Sequence, residues 1–248
     1  MKNGTALVTG VSHENGIGAA ACKRLAAAGH DIFFMHWQAS EKWETQFKAE
    51  ITGYGVRCEG TAVDLANSDA AIKVLNAAEE ALDFPCILVN NAAYSTRDGY
   101  QQLDAQTLDA HYAVNIRSVS LLCVEFARRF EKKQMQAGRI INMTSGQAQG
   151  PMLEELAYVA TKGAISAFTL SLSAEIGNLG ITVNAVNPGP TDTGWMSEEL
   201  KEELAPKFAT KRIGLPDDAA RLITFLASEE AAWITGQVIN SEGGFFRN

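Results

Sequence analysis

The chain has 248 residues, 46% of them hydrophobic, and a formal net charge of −8. That is enough for one large α/β domain or two small ones around a sizeable core. The acidic balance, with a pI near 5.1, excludes the clustered Lys and Arg footprint of a nucleic-acid binder.

In chain order, Thr5–Thr9 is a short apolar run broken by Gly10. Residues 16–29 are Ala-rich, contain Leu25 and close on glycine, which predicts a helix with a C-cap. Residues 32–35 predict a second buried strand, and Ser40 caps a helix reaching about Gly53. A third strand is predicted over 56–63, ending at Asp64, and then a helix over 68–82 with apolar residues at helical spacing. Residues 86–89 predict the fourth strand, which runs into Asn90-Asn91-Ala92-Ala93. A long helical region is predicted over 108–136, a fifth strand over 139–143, a helix over 158–178 and a sixth strand over 181–186. Asn187-Pro188-Gly189-Pro190 stops that strand. Leu204 and Phe208 suggest helix among charged residues, Pro216 starts a helix to about Ser228, and 237–240 is a last strand.

The strands are apolar without polar–apolar alternation and they alternate with helices. That pattern belongs to a parallel sheet covered on both faces, and it predicts one doubly wound α/β domain. Cys22, Cys58, Cys86 and Cys123 are scattered, with no Cys-x-x-Cys and no paired His at ligand spacing. Reduced, buried thiols are expected, with neither a metal site nor a disulfide framework. Met1-Lys2-Asn3-Gly4 runs straight into a strand with no leader pattern, and no apolar run reaches membrane-spanning length. A cytoplasmic location without membrane or nucleic-acid partners is expected. The basic cluster Arg128-Arg129 with Lys132-Lys133 reads as a solvated helix end.

Tyr158 and Lys162 stand four apart in a predicted helix and project from one face. A cation beside a phenol is expected to pull the tyrosine's pKa down from about 10, readying it for proton exchange with an alcohol or carbonyl oxygen. Ser145, thirteen residues before the tyrosine, offers a hydroxyl to hold that oxygen. Upstream, Gly10, Gly16 and Gly18 follow the first strand and open the first helix. Such a place suits the backbone approach of a pyrophosphate at a helix N-terminus.

Thr9-Gly10 with Gly16-Ile17-Gly18, Asp64, Asn90-Asn91-Ala92, Asn115, Ser145, Tyr158 with Lys162, and Pro188-Gly189 occur in one order and spacing. Over essentially the whole chain this resembles the short-chain dehydrogenase/reductase family, most like its 3-oxoacyl-carrier-protein reductase branch. The resemblance implies a Rossmann-type fold with a parallel sheet of about seven strands, a nicotinamide cofactor, and a carbonyl or secondary alcohol substrate. It implies that Tyr158 donates the proton, that Lys162 lowers its pKa and binds the nicotinamide ribose, and that Ser145 orients the carbonyl. Asn115 would anchor a water relay behind Lys162. For the cofactor it implies Gly10, Ser12, Gly16, Ile17 and Gly18 at the phosphates, Asp64 at the adenine and Asn91 at the adenine ribose. Pro188, Gly189, Thr191 and Thr193 would serve the carboxamide and phosphates.

Three departures stand out. Five residues separate Gly10 from Gly16 where the family has three, a longer loop that resembles the enoyl-reductase branch. That branch spaces its tyrosine and lysine by six, and the matching position here is Ile165, so carbonyl reduction is expected. Ala93 replaces the last glycine of the family's Asn-Asn-Ala-Gly. At the end of strand two, His36 stands where an acid would bind the ribose of NAD and repel the phosphate of NADP. With His36, His13, Ser12 or Lys42 to receive a phosphate, NADP is the expected cofactor, NAD not excluded. Residues 194–212 are expected to form a substrate lid, and the apolar helix over 158–178 suggests a homotetramer. The competing reading is a non-catalytic nucleotide-binding or scaffold protein on the same fold.

Overall fold

The computed structural model describes residues 4–246. The start at Met1 to Asn3, read above as leaderless, lies outside them. The elements run β1 (Thr5–Thr9), α1 (Ile17–Ala27), β2 (Asp31–His36), α2 (Glu41–Thr52), β3 (Cys58–Ala62), α3 (Ala70–Ala81) and β4 (Ile87–Asn90). They continue with α4 (Ala105–Tyr112), α5 (Ser118–Lys132), β5 (Gly138–Met143), α6 (Leu156–Ile176), β6 (Ile181–Asn187), α7 (Glu198–Leu204), α8 (Pro216–Ala227) and β7 (Val238–Asn240).

All seven strands form one parallel sheet in the order β3-β2-β1-β4-β5-β6-β7, a doubly wound Rossmann-type arrangement. The sequence shows why. β1, β4, β5 and β6 are buried at every residue, as strands covered on both faces must be. The two-residue period of a strand sends neighbours to opposite faces. Val8 and Phe34 pack with Leu25, Phe47 and Ile223 of α1, α2 and α8. Leu7, Phe33 and Met35 pack with Val74, Phe126 and Ile165 of α3, α5 and α6. The four cysteines are buried and unpaired within these layers.

Strand order reverses between β1 and β4, so the loops leaving their carboxyl ends diverge and open a crevice there. The helix predicted over 108–136 is two helices joined by a π-helical turn, Ala113–Arg117. The third strand starts at Cys58, two residues after the predicted start. Within the described residues, no helix is long and apolar enough to cross a membrane.

Candidate active site

The crevice begins with backbone. Gly10 holds φ +71°, and a Cβ there would lie 2.5 Å from Ala92 Cα, so the loops after β1 and β4 touch main chain to main chain. Thr9 Oγ1 accepts from the amides of Asn91 and Ala92 at 3.0 and 3.1 Å. Asn91 Nδ2 donates to the carbonyls of Thr9 and Gly10 at 2.9 and 3.0 Å. A Cβ on Gly18 would fall 2.7 Å from that same Nδ2, which brings α1 close beneath the loops. α1 has Gly16 as its N-cap, with no side-chain cap and no acid in its first turn. Its amide end therefore faces the crevice uncompensated, which fits an anionic diphosphate.

Two cavities of about 760 and 790 Å³ meet at Ile17 and Thr193. Gly10, Ser12, Gly16, Asp64 and Asn91 line the first, which fits the adenosine side of a dinucleotide. Asp64 Oδ1 accepts the Ala66 amide at 2.9 Å, which fixes its carboxylate at the rim. Ser145, Tyr158, Pro188, Gly189 and Thr191 line the second with Met152, Trp195, Leu200 and Leu204. Thr191 Oγ1 bonds the carbonyls of Pro188 and Gly189, and its own carbonyl accepts from the Trp195 indole at 3.0 Å. Ala93, the departure from the family's glycine, lines the first cavity without closing it.

Ser145 lies two residues past the end of β5, and Tyr158 lies in the first turn of α6 with Lys162 one turn on. The Lys162 ammonium donates to the Met143 carbonyl at 2.8 Å and sits 5.5 Å from the Tyr158 ring centroid. Burial pushes Lys162 down to about 8. Tyr158 departs from the expected direction. Burial first and the Glu155 carboxylate second push its phenol up to about 12, and a hydrogen bond with Ser145 only partly opposes this. Lys162 faces the Met143 carbonyl, so it does not pull the phenol down in this state.

Asn115 lies in the π-helical turn, where the extra residue per turn lets its amide leave the helix's own bonding. It accepts the Tyr94 amide at 2.7 Å, donates to the Tyr94 carbonyl at 2.8 Å and reaches Thr161 Oγ1 at 3.0 Å, one residue before Lys162. His111 adds a second tie. Its Nδ1 donates to the Thr107 carbonyl at 2.8 Å and its Nε2 accepts the Thr96 amide at 3.3 Å. Asp98 adds a third, accepting the amides of Leu156 and Ala157. Sequence reasoning passed over His111 and Asp98, as well as Glu155 and Met152. Their partners are loop amides or pocket space that no local pattern announces.

His36 is not where the cofactor reading needs it. It is 3% exposed, its Nε2 meets Glu44 Oε2 at 3.1 Å, and it is absent from the cavity lining. Strand parity explains this: Met35 and Trp37 face the cavity while His36, like Phe34, faces α2. Trp37, Gln38, Ser12 and His13 line the cavity at that end, and Lys42 does not. Among the described residues no cluster of His, Cys, Asp and Glu could hold a metal ion.

A model of the family described as enoyl-(acyl carrier protein) reductase matches residues 10–246. The uncharacterized oxidoreductase YjdA of Bacillus subtilis (strain 168) is 59% identical, over 98% of this chain and 96% of its own. The 3-oxoacyl-[acyl-carrier-protein] reductase FabG of Aquifex aeolicus (strain VF5) is 30% identical over 99% and 98% of the two chains. The solved structure of a short-chain dehydrogenase/reductase from Serratia marcescens BCRC 10948 matches with a TM-score of 0.89 at 32% identity, over 98% of each chain. Relatives matched from end to end leave one assignment: the chain belongs to the short-chain dehydrogenase/reductase family, oxidoreductases that use NAD or NADP.

Proposed function

We propose that the protein is a single-domain, NADP(H)-dependent carbonyl reductase acting on a small-molecule ketone or, in reverse, its secondary alcohol. When bound, the nicotinamide supplies the hydride. The chain's own residues handle the rest. The Ser145 hydroxyl holds the carbonyl oxygen and the Tyr158 hydroxyl gives it a proton. Lys162 contacts the nicotinamide ribose, and Asn115, through Thr161, steadies the helix face that carries both. Gly10, Gly16, Ile17 and Gly18 receive the diphosphate on backbone amides, with Asp64 at the adenine and Asn91 at its ribose. Pro188, Gly189, Thr191 and Thr193 hold the carboxamide end.

The carrying observation is geometric: the Tyr158 and Ser145 hydroxyl side chains line one cavity, walled in part by Met152, Trp195, Leu200 and Leu204. Trp195, Leu200 and Leu204 support reading residues 194–212 as a lid over the substrate. A salt bridge from Lys201 to Asp192 at 2.8 Å latches α7 to the segment before it.

The preference for NADP rests on the absence of an acid at the cavity-facing end of β2, with Ser12 and His13 as phosphate donors. His36 has no direct part in it. A small free carbonyl or coenzyme A thioester is proposed over a carrier-protein thioester, because Arg129 is engaged by Glu125 and Glu79, and Lys133 by Glu79. A homotetramer is proposed on the exposed Leu121, Leu156, Leu170 and Val238. A cytoplasmic location follows the same family expectation.

A panel of ketones and 3-oxoacyl thioesters, assayed with both reduced cofactors on wild type and Tyr158→Phe, tests the reading. Turnover in wild type and none in the variant is expected. A variant within about tenfold of wild type would remove Tyr158 from the mechanism. No turnover on any carbonyl, with cofactor still bound, would favour the non-catalytic reading.

A further inference from the structure

We propose that Asp98 is the positioning residue that sets Tyr158 against the substrate wall. This rests on the reading of Tyr158 as proton donor. α6 has no cap of its own: Glu155 at its N-cap, with φ −136° and ψ 38°, makes no side-chain bond to the first turn. The carboxylate of Asp98, 58 positions earlier in the chain, does that work. Its two oxygens accept the amides of Leu156 at 2.7 Å and Ala157 at 2.9 Å. The Asp98 amide in turn donates to the Glu154 carbonyl at 2.8 Å, so the tie runs both ways.

Asp98 is 6% exposed, and a buried carboxylate is stable only with strong partners. Two amides and the positive end of a 21-residue helix supply them. Tyr158 is the next residue after the second clamped amide. An uncapped first turn is the part of a helix most ready to fray, so the tyrosine depends on this tie more than Lys162 does. A cap on residue 155 itself would steady the helix equally well. Only a cap from the loop after β4 also fixes the other wall, because Ser95, Thr96 and Arg97, just before Asp98, line the substrate cavity with Tyr158. The carboxylate therefore sets the width between the proton donor and the loop that faces it.

The test compares Asp98→Ala and Asp98→Asn with Ser40→Ala, which removes the α2 cap (Trp43 amide to Ser40 Oγ, 3.3 Å) far from the substrate cavity. A ketone turned over by wild type is used, with Tyr158→Phe alongside. Asp98→Ala is expected to lower kcat by about tenfold to 100-fold, as misplacement of a reacting group by about 1 Å does, with cofactor Kd within about threefold. Asp98→Asn, which keeps one acceptor oxygen for the two amides, is expected to lower kcat by an intermediate factor of about threefold to tenfold. Ser40→Ala is expected to lose comparable thermal stability with kcat unchanged. A kcat for Asp98→Ala within about threefold of wild type, or an equal kcat loss in Ser40→Ala, would overturn the proposal. If Asp98→Ala does not fold, Asp98→Asn decides, and a wild-type kcat there overturns it. The two readings fail separately: Tyr158→Phe retaining turnover sinks the chemistry, whereas an inactive Tyr158→Phe beside an unimpaired Asp98→Ala sinks only the positioning role.

Discussion

The two arms of the cleft are walled by different materials. The floor of the adenosine arm is main chain and small side chains, Gly10, Gly16, Asn91 and Ala92, held by Thr9 and by backbone in direct contact. Met35, Trp37, Leu65 and Tyr94 close its sides. The substrate arm is walled by large side chains, Met152, Trp195, Leu200 and Leu204, two of them on the short helix α7. A wall of backbone can change little without moving the sheet beneath it. A wall of side chains can be re-cut by single substitutions. Within one fold, the first arm thus suits a constant ligand and the second a variable one.

That contrast can be broken first at Gly10. Gly10→Ala is strained at φ +71° and drives a methyl into Ala92. It should cost about 2 kcal/mol or more in unfolding free energy and abolish cofactor binding, measured by denaturant melts and fluorescence titration. Binding within about threefold of wild type would mean that the backbone wall yields.

The next effect lies at Lys162, on the border of the arms. Its folded pKa of about 8 lies below its ordinary 10.5, so the folded state releases the proton first. The resulting penalty is in full force below about 8 and fades as pH rises to 10.5, so stability should climb across that window. Tyr158 acts oppositely: its pKa, raised from 10 to about 12, makes stability fall between those values. Lys162→Met should lose turnover, melt at higher temperature at pH 7, and no longer gain stability from pH 8 to 10. A lower melting temperature at pH 7 would contradict this.

A smaller effect concerns cofactor choice. Gln38→Asp puts a carboxylate on the cavity lining and should move the NADPH-to-NADH affinity ratio toward NADH by about tenfold. His36→Asp, turned toward Glu44, should destabilise the fold yet change the ratio less than about threefold. The reverse ranking would restore His36 to the site. The smallest effect is expected on the adaptable wall, where Trp195→Ala should raise the ketone KM by about tenfold or less, with NADPH Kd unchanged.

These cases also show which parts of the molecule its residues announce. The sheet was readable because parallel strands buried on both faces need apolar runs, and Ala6 to Val8 of β1 and Ile87 to Val89 of β4 are such runs. Tyr158 and Lys162 were readable because spacing of four in a helix fixes a shared face. His36 was misplaced because a strand flips its side with every residue, so a one-residue difference in where the cavity meets β2 reverses the outcome. Asn115 was found, but not the π-helical turn that frees its amide, since the flanking pattern is helical throughout. Asp98 stayed invisible because its partners are main-chain amides 58 residues away, which no side-chain pattern encodes.

The buried cysteines have a practical consequence for watching this molecule move. Burial pushes all four thiols above their ordinary pKa, Cys58 and Cys123 to about 12, so near neutral pH they lack the reactive thiolate. A maleimide dye offered to the native protein should find almost nothing to label. A cysteine introduced at the exposed Glu202 on α7 would then be a lone attachment point in the otherwise unmodified chain. Fluorescence from a dye placed there would test in real time whether α7 moves when ligands are added, without first engineering away any native residue.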